Sequence, residues 1–316
     1  MKVLVLDNVS DVAVDILEAA GINAVVMKTP SSDELCNLIP DYDGVIVRNA
    51  TKITADVLEY AKNLKIISRA GVGVDNIDVE AATKKGIWVV NSPNGNTEAT
   101  AEHTIAMMLS LSRHIPQAFA SVNAGKFERS KFLGCELFGK TLAIIGFGKI
   151  GSRVAEIAKV LGMKILVFDP FTDKDRVEAL GYEKYDTVDE ILPLCDYLTV
   201  HVPKNKSTEN LINSENIYKM KKGARVINCA RGGIINECDL AKAITEGHIA
   251  GAALDVFVDE PNITNCPLYN CSDRIILVPH LGASTLEAQV KVAVDVTEQM
   301  VDVLKGGIPK TPVNKL

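Results

Sequence analysis

Short apolar runs alternate with amphipathic segments along nearly the whole chain. In the first third, Val3–Leu6, Ala24–Met27, Val45–Val47, Lys65–Ile67 and Ile87–Val90 are predicted strands. Runs of this length without strict alternation suit strands buried on both faces of a parallel sheet. Between them lie amphipathic segments such as Val12–Ala20 and Ala55–Ala61, each closed by a turn residue or a short polar stretch. This pattern predicts one βαβ domain of about 100 residues. A long apolar helix is predicted from Thr97 to Ser112, with Pro116 shortly after its end. A less regular stretch, Ala120 to Gly139, follows and carries Lys126, Arg129 and Lys131. A second series of strands is predicted at Leu142–Ile145, Ile165–Phe168, Tyr197–Val200, Arg225–Asn228, Ala252–Val256 and Ile275–Val278. Ser284-Thr-Leu-Glu287 has the form of a capping box and opens a final helix of about twenty residues. No internal repeat is visible. The expected fold class is α/β, with two doubly wound parallel-sheet domains, Rossmann-like and flavodoxin-like, and a cleft between them.

Composition narrows the classes. Of 316 residues, 47% are apolar and 23% charged, so long disordered segments are not expected. A net charge of −6 leaves no electrostatic footprint for nucleic acid or an anionic membrane. Any anion must therefore be held by a few locally placed cations. The apolar run Thr104–Leu111 is far shorter than the roughly 20 residues of a membrane span, and Asp7 interrupts the only leader-like stretch. Seven cysteines without a Cys-x-x-Cys pair read as reduced, cytoplasmic thiols, and no metal site is expected.

Gly146-Phe-Gly148-Lys149-Ile150-Gly151 is the most specific local motif. A lone G-x-G-x-x-G is weak, but here it follows the strand Leu142–Ile145 and opens a helix, Ile150–Leu161. The next strand delivers Asp169 eighteen residues after the third glycine. Glycines let the backbone approach a pyrophosphate, the helix N-terminus offers N–H groups and a favourable dipole, and the acid takes ribose hydroxyls. Asp169 favours NAD over NADP, because a carboxylate repels a 2′-phosphate and Pro170–Asp173 supply no arginine. Gly71-Val72-Gly73 also follows a strand but lacks the third glycine and the acid. It reads as a pair of backbone N–H groups able to hold a small anion.

Ligands of an open parallel sheet sit beyond the carboxyl ends of its strands. At those ends stand His201-Val202-Pro203, Cys229-Ala230-Arg231, Asp255 with Glu260, and His280 with Gly282 and Ala283. Hydride transfer to a 2-keto acid needs a cation for the carboxylate and carbonyl, which the planar fork of Arg231 suits. It also needs a proton donor titrating near neutrality, the range of histidine, with a carboxylate to orient the ring; Glu260 is the nearest acid. His201 suits either the cofactor or a structural bond, and Asp255 either a ring-nitrogen or a backbone partner. His103 and His114 read as packing or capping residues and His248 as a solvated turn residue.

Several motifs occur together and in order: Asn91-Ser-Pro-Asn-Gly-Asn96 with Ala101-Glu-His103, the fingerprint with Asp169, His201-Val-Pro203, Asn228-Cys-Ala-Arg-Gly-Gly233, Leu254-Asp-Val-Phe257 with Glu260-Pro261, and Pro279-His-Leu-Gly282. Taken together, the chain resembles the D-2-hydroxyacid dehydrogenase family over essentially its whole length. The resemblance implies a catalytic set of Arg231, Glu260 and His280. It implies NAD contacts along Gly146–Gly151, Asp169, His201–Pro203, Cys229–Arg231, Asp255, His280, Gly282 and Ala283. It further implies a discontinuous substrate-binding domain, 1–97 plus 285–316, around an NAD-binding domain, 98–284. A homodimer is implied, with 120–139 at the contact, leaving open whether Arg129 or Lys131 reaches a neighbouring site.

Val47–Thr54 and Ser68–Asn76 are similar to the substrate segments of members that oxidise 3-phospho-D-glycerate, the first step of serine synthesis. Two departures stand out: Val72 replaces a frequent threonine, and the end at Leu316 leaves no room for a serine-binding regulatory domain. Arg48 and Arg69, with Lys52, are expected to clamp the distal phosphate, while Ala70, Gly71, Val72, Arg231 and His280 line the rest of the substrate. The alternatives are a reductase of glyoxylate, hydroxypyruvate or another 2-keto acid, and an NAD-sensing corepressor-like binding protein.

Overall fold

The computed structural model describes the backbone of all 316 residues and every side chain except those of Asn270 and Ser272. The chain forms two compact units, Met1–Asn96 with Ala283–Leu316, and Thr97–Gly282.

The first unit opens with β1 (Lys2–Val5), α1 (Val12–Ala19), β2 (Asn23–Val26), α2 (Ser32–Leu38), β3 (Gly44–Val47), α3 (Ala55–Glu59), β4 (Ile66–Arg69), α4 (Val79–Lys84) and β5 (Trp88–Asn91). Its strands are parallel, in the order β2-β1-β3-β4-β5. Val3–Val5 and Val45–Val47 are almost fully buried, which explains why their runs are apolar at every position rather than at alternate ones.

The second unit contains α5 (Thr97–Arg113), α6 (Ile115–Asn123), β6 (Thr141–Ile145), α7 (Lys149–Val160), β7 (Lys164–Phe168), α8 (Lys174–Ala179), β8 (Glu183–Tyr185), α9 (Val188–Ile191), β9 (Tyr197–Val200), β10 (Ala224–Asn228), α10 (Glu237–Thr245), β11 (Ile249–Leu254) and β12 (Ile275–Leu277). Its parallel sheet runs β12-β11-β10-β9-β6-β7-β8. The direction of winding reverses at β6 and β9, the topological switch point where doubly wound sheets bind ligands. The chain then returns to the first unit as α11 (Leu286–Leu304), whose Ala293, Val296 and Met300 pack into the same core as Val3 and Ile66.

Four expectations fail locally. Pro116 does follow the end of α5, but it also sits in the first turn of a further helix, α6, where no N–H is needed from that residue. The stretch expected to be irregular from Ala120 therefore begins as helix. Thr285, not Ser284, caps α11 through its side chain and the Ala288 amide, so Glu287 is not positioned for a capping box. β11 ends at Leu254, leaving Asp255 just beyond the strand. Finally, β8 has no counterpart among the expected strands, since Glu183-Lys-Tyr185 is an edge strand without an apolar run. Among the described residues no helix is long and apolar enough to cross a membrane.

Candidate active site

In the second unit the fingerprint occupies the β6–α7 turn. Gly146 has φ +93°, and a Cβ there would lie 2.5 Å from the His201 carbonyl oxygen. A Cβ on Gly151 would lie 2.0 Å from the Gly146 carbonyl oxygen, so only glycine lets α7 start this close to β6. Gly148 differs: a Cβ there would meet nothing within 4 Å. It is also the N-cap of α7, and among the described residues no side-chain cap bonds that helix start. Asp169 follows β7, and its carboxylate accepts the amides of Phe147 (2.7 Å) and Phe171 (2.8 Å), which fixes it beside the glycine turn. An open, uncapped helix N-terminus with a carboxylate held beside it is what a dinucleotide requires, and these residues fit NAD.

His201, Arg231, Glu260 and His280 follow β9, β10, β11 and β12, all parallel, and so share the sheet edge that carries the fingerprint. The Nδ1 of His280 lies 2.7 Å from Oε2 of Glu260. The other glutamate oxygen accepts the Phe257 amide at 2.8 Å, so the acid is braced before it meets the imidazole. Buried Glu237 braces the same segment by accepting the Val258 amide at 2.8 Å. The segment before Glu260 and the Arg231 turn touch closely: a Cβ on Gly232 would sit 1.9 Å from the Phe257 carbonyl. The side chain of Asn228 orders that turn by accepting the Ala230 amide and donating to the Arg231 carbonyl.

His201 and His280 have different chemistry. Burial of the His201 ring pushes it down to about 4, and its Nε2 bonds Thr199 Oγ1 at 3.0 Å. A ring that is neutral at pH 7 is a poor donor for the proton of a reduction, so His201 suits a structural bond better than that role. Cys229 is buried, and desolvation together with nearby Asp255 pushes its thiol up to about 12. Only its backbone is thus chemically available to a ligand.

Asp255 is fully buried and accepts the amides of Leu281 (2.6 Å) and Gly282 (2.8 Å), so it holds the turn that carries His280. His103 and Thr100, on one face of α5, reach the same place: His103 Nε2 is 3.3 Å from Asp255 Oδ1, and Thr100 donates to the Gly282 carbonyl. From the sequence His103 reads as a packing or capping residue; its contact with Asp255 joins positions too far apart for a spacing to reveal. His248 is not solvated as expected but bonds the Met220 carbonyl and packs against Tyr218.

Arg48, Arg69, Ala70, Gly71 and Val72 belong to the first unit and cluster there. Arg48 follows β3 at that sheet's own switch point, and its amide donates to Asp7. Asp7, not singled out from the sequence as a site residue, also accepts the Thr51 amide, the Thr51 hydroxyl and the Thr29 hydroxyl. Asn76 closes the Arg48–Thr51 turn by donating to both of its end carbonyls. Arg69 is the last residue of β4, and its Nη1 lies 1.4 Å from where a Cβ on Gly71 would be. The missing side chain at Gly71 is thus the space that the guanidinium fills. Asn91 donates to the Val72 carbonyl at 2.5 Å and tethers this loop.

Residues 105–282 match the family model described as D-isomer specific 2-hydroxyacid dehydrogenase, NAD binding domain. A D-3-phosphoglycerate dehydrogenase of Synechocystis sp. is 51% identical over 99% of this chain and 56% of its own length. The chain spans 56–59% of the length of such curated relatives. The crystal structure of the TT0316 protein from Thermus thermophilus matches with a TM-score of 0.92 and 32% identity, over 99% of this chain and all of that one. The NAD+-bound 3-phosphoglycerate dehydrogenase of Entamoeba histolytica matches with a TM-score of 0.85 and 32% identity, over 100% and 99%.

Proposed function

Since this chain belongs to the D-isomer specific 2-hydroxyacid dehydrogenase family, we propose that it oxidises 3-phospho-D-glycerate to 3-phosphohydroxypyruvate with NAD+, and reduces the keto acid in reverse. The observation that carries the chemistry is the 2.7 Å contact between His280 and Glu260 on the sheet edge of the fingerprint. Gly146–Gly151 and Asp169 hold the cofactor, with the backbone of His201–Pro203 and Cys229–Arg231, and with Asp255, Gly282 and Ala283, beside it. When bound, the nicotinamide supplies the hydride acceptor for oxidation. Arg231 binds the substrate carboxylate and polarises the oxygen on C2. Glu260 engages His280 Nδ1, which leaves Nε2 to take the hydroxyl proton in oxidation and return it in reduction.

The first unit acts as the substrate-binding domain in this reading. Arg48 and Arg69 clamp the phosphate, while Ala70–Val72 line the substrate beside them. The high identity to proteins named for phosphoglycerate supports this, as do the two cationic strand ends ordered by Asp7, Asn76 and Gly71. A phosphate remote from the reacting carbon positions the substrate, so its arginines should matter only when it is present. Arg48→Ala or Arg69→Ala is expected to cut kcat/KM for phosphohydroxypyruvate by about 10–100-fold, the worth of one or two charge-assisted bonds. Use of hydroxypyruvate should change little. Equal losses on both substrates in steady-state assays would instead favour a general 2-keto-acid reductase.

Asp169 should make NADH the preferred cofactor, and Asp169→Ala should narrow that preference by roughly tenfold through loss of a charged hydrogen bond. Equal wild-type kcat/KM with NADH and NADPH would defeat this assignment. We also assign a reducing, cytoplasmic setting, consistent with seven free thiols. Phe119, Val122, Phe127 and Leu133 are exposed apolar side chains on and after α6, Phe127 at 89%. Such a patch suits burial against a second copy, and light scattering should give twice the 34.1 kDa chain mass.

A further inference from the structure

We infer that His103 is a positioning residue which, through Asp255, sets the turn that carries His280; this deepens the reading above and rests on it. The turn is unusual in its backbone. His280 has φ +54°, a left-handed conformation that a non-glycine residue adopts only when its surroundings hold it. The next two amides, Leu281 and Gly282, both donate to Asp255. One fully buried carboxylate therefore bears the backbone immediately after the proton carrier.

A carboxylate buried to that depth needs polar company on its other sides. The groups facing it come from three elements. From the turn come the two amides. From the end of β10 comes Cys229, whose thiol burial and Asp255 itself keep protonated, so it brings no charge. From α5 comes His103, with Nε2 at 3.3 Å from Oδ1. That nitrogen is buried and has no aligned hydrogen bond among the described residues, so Asp255 is the acid it faces. One turn of α5 earlier, Thr100 donates to the Gly282 carbonyl at 3.2 Å, and Thr104 in turn donates to the Thr100 carbonyl. Thr100 and His103 thus present one face of α5 to the His280 turn and its supporting carboxylate, with Thr104 bonded back to Thr100. His280 is gripped from the other side by Glu260. Only with both grips is the imidazole fixed in place, and proton transfer is sensitive to displacements of an ångström or less.

The test combines amide hydrogen exchange of the protein alone with steady-state reduction of phosphohydroxypyruvate by NADH. In His103→Ala the Leu281 and Gly282 amides should exchange about tenfold faster, the cost of leaving a buried carboxylate without a facing polar partner, with the core strands unchanged. kcat should fall about tenfold on the same ground while KM for the keto acid moves less. His103→Gln, which keeps a nitrogen near the Nε2 position, should restore most of both. Combined with Asp255→Asn, the His103→Ala loss should not multiply, because both remove one linkage. Unchanged exchange at 281–282, no rescue by glutamine, or fully multiplicative losses would each overturn the inference. If His103→Ala fails to fold, Thr100→Val carries the same expectation at Gly282, and its failure there overturns it equally. A wild type that turns over no keto acid would defeat the proposed function, while the exchange result would still decide whether His103 holds the turn.

Discussion

Replacing His280 with alanine is expected to lower kcat by roughly 10²–10⁴-fold, the usual worth of a positioned proton-transfer group. The loss should appear in kcat more than in KM, because the imidazole acts when the proton moves. The folded state should survive, since His280 is about one-third exposed at the end of a strand. Glu260→Gln is the informative companion. It keeps the shape of the braced side chain, including an oxygen for the Phe257 amide, but removes the negative charge beside Nδ1. Without that charge the ring loses the anionic acceptor that holds Nδ1, so kcat should fall by about tenfold, the worth of a charge-assisted hydrogen bond, with KM moving less. An unchanged kcat would remove Glu260 from the mechanism, and a fully active His280→Ala enzyme would remove the histidine.

The second large effect concerns Arg231. Arg231→Ala should reduce kcat/KM for any 2-keto acid by roughly 10²–10³-fold, comparable with removing one donor that stabilises developing charge on oxygen. Arg231→Lys should recover only part of this. A lysine restores the charge but not the planar pair of donors that can meet a carboxylate and a carbonyl together. The loss should be shared by phosphorylated and unphosphorylated substrates, in contrast to the selective loss expected at Arg48 and Arg69. A change confined to the phosphorylated substrate would reassign Arg231 to the phosphate.

Much of this site was legible because the rules behind it are local. The β6–α7 turn needs glycine wherever two backbones nearly touch, and that requirement is written at positions 146 and 151. Strands buried on both faces must be apolar throughout, so their ends, and the polar residues just past them, could be read directly. β8 was illegible for the opposite reason, since an edge strand need not be apolar. Pro116 was ambiguous because proline suits both the residue after a helix and the first turn of the next. Asp7, His103 and Glu237 were not recognised as supports because their role depends on contacts across long stretches of chain. Asp7 braces a turn more than forty positions away, at Arg48 and Thr51. No spacing rule connects such pairs. The return of α11 to the first unit is of the same kind and was suggested only by the family resemblance.

Whether the substrate is a phosphorylated D-2-hydroxy acid, as proposed, is tested most directly by NADH oxidation with the wild-type protein. The assay compares phosphohydroxypyruvate with hydroxypyruvate, glyoxylate and pyruvate under identical conditions. Two arginines committed to the phosphate predict that phosphohydroxypyruvate has the highest kcat/KM, by at least about tenfold for one charge-assisted bond. Turnover indifferent to the phosphate, or faster with an unphosphorylated keto acid, would contradict it.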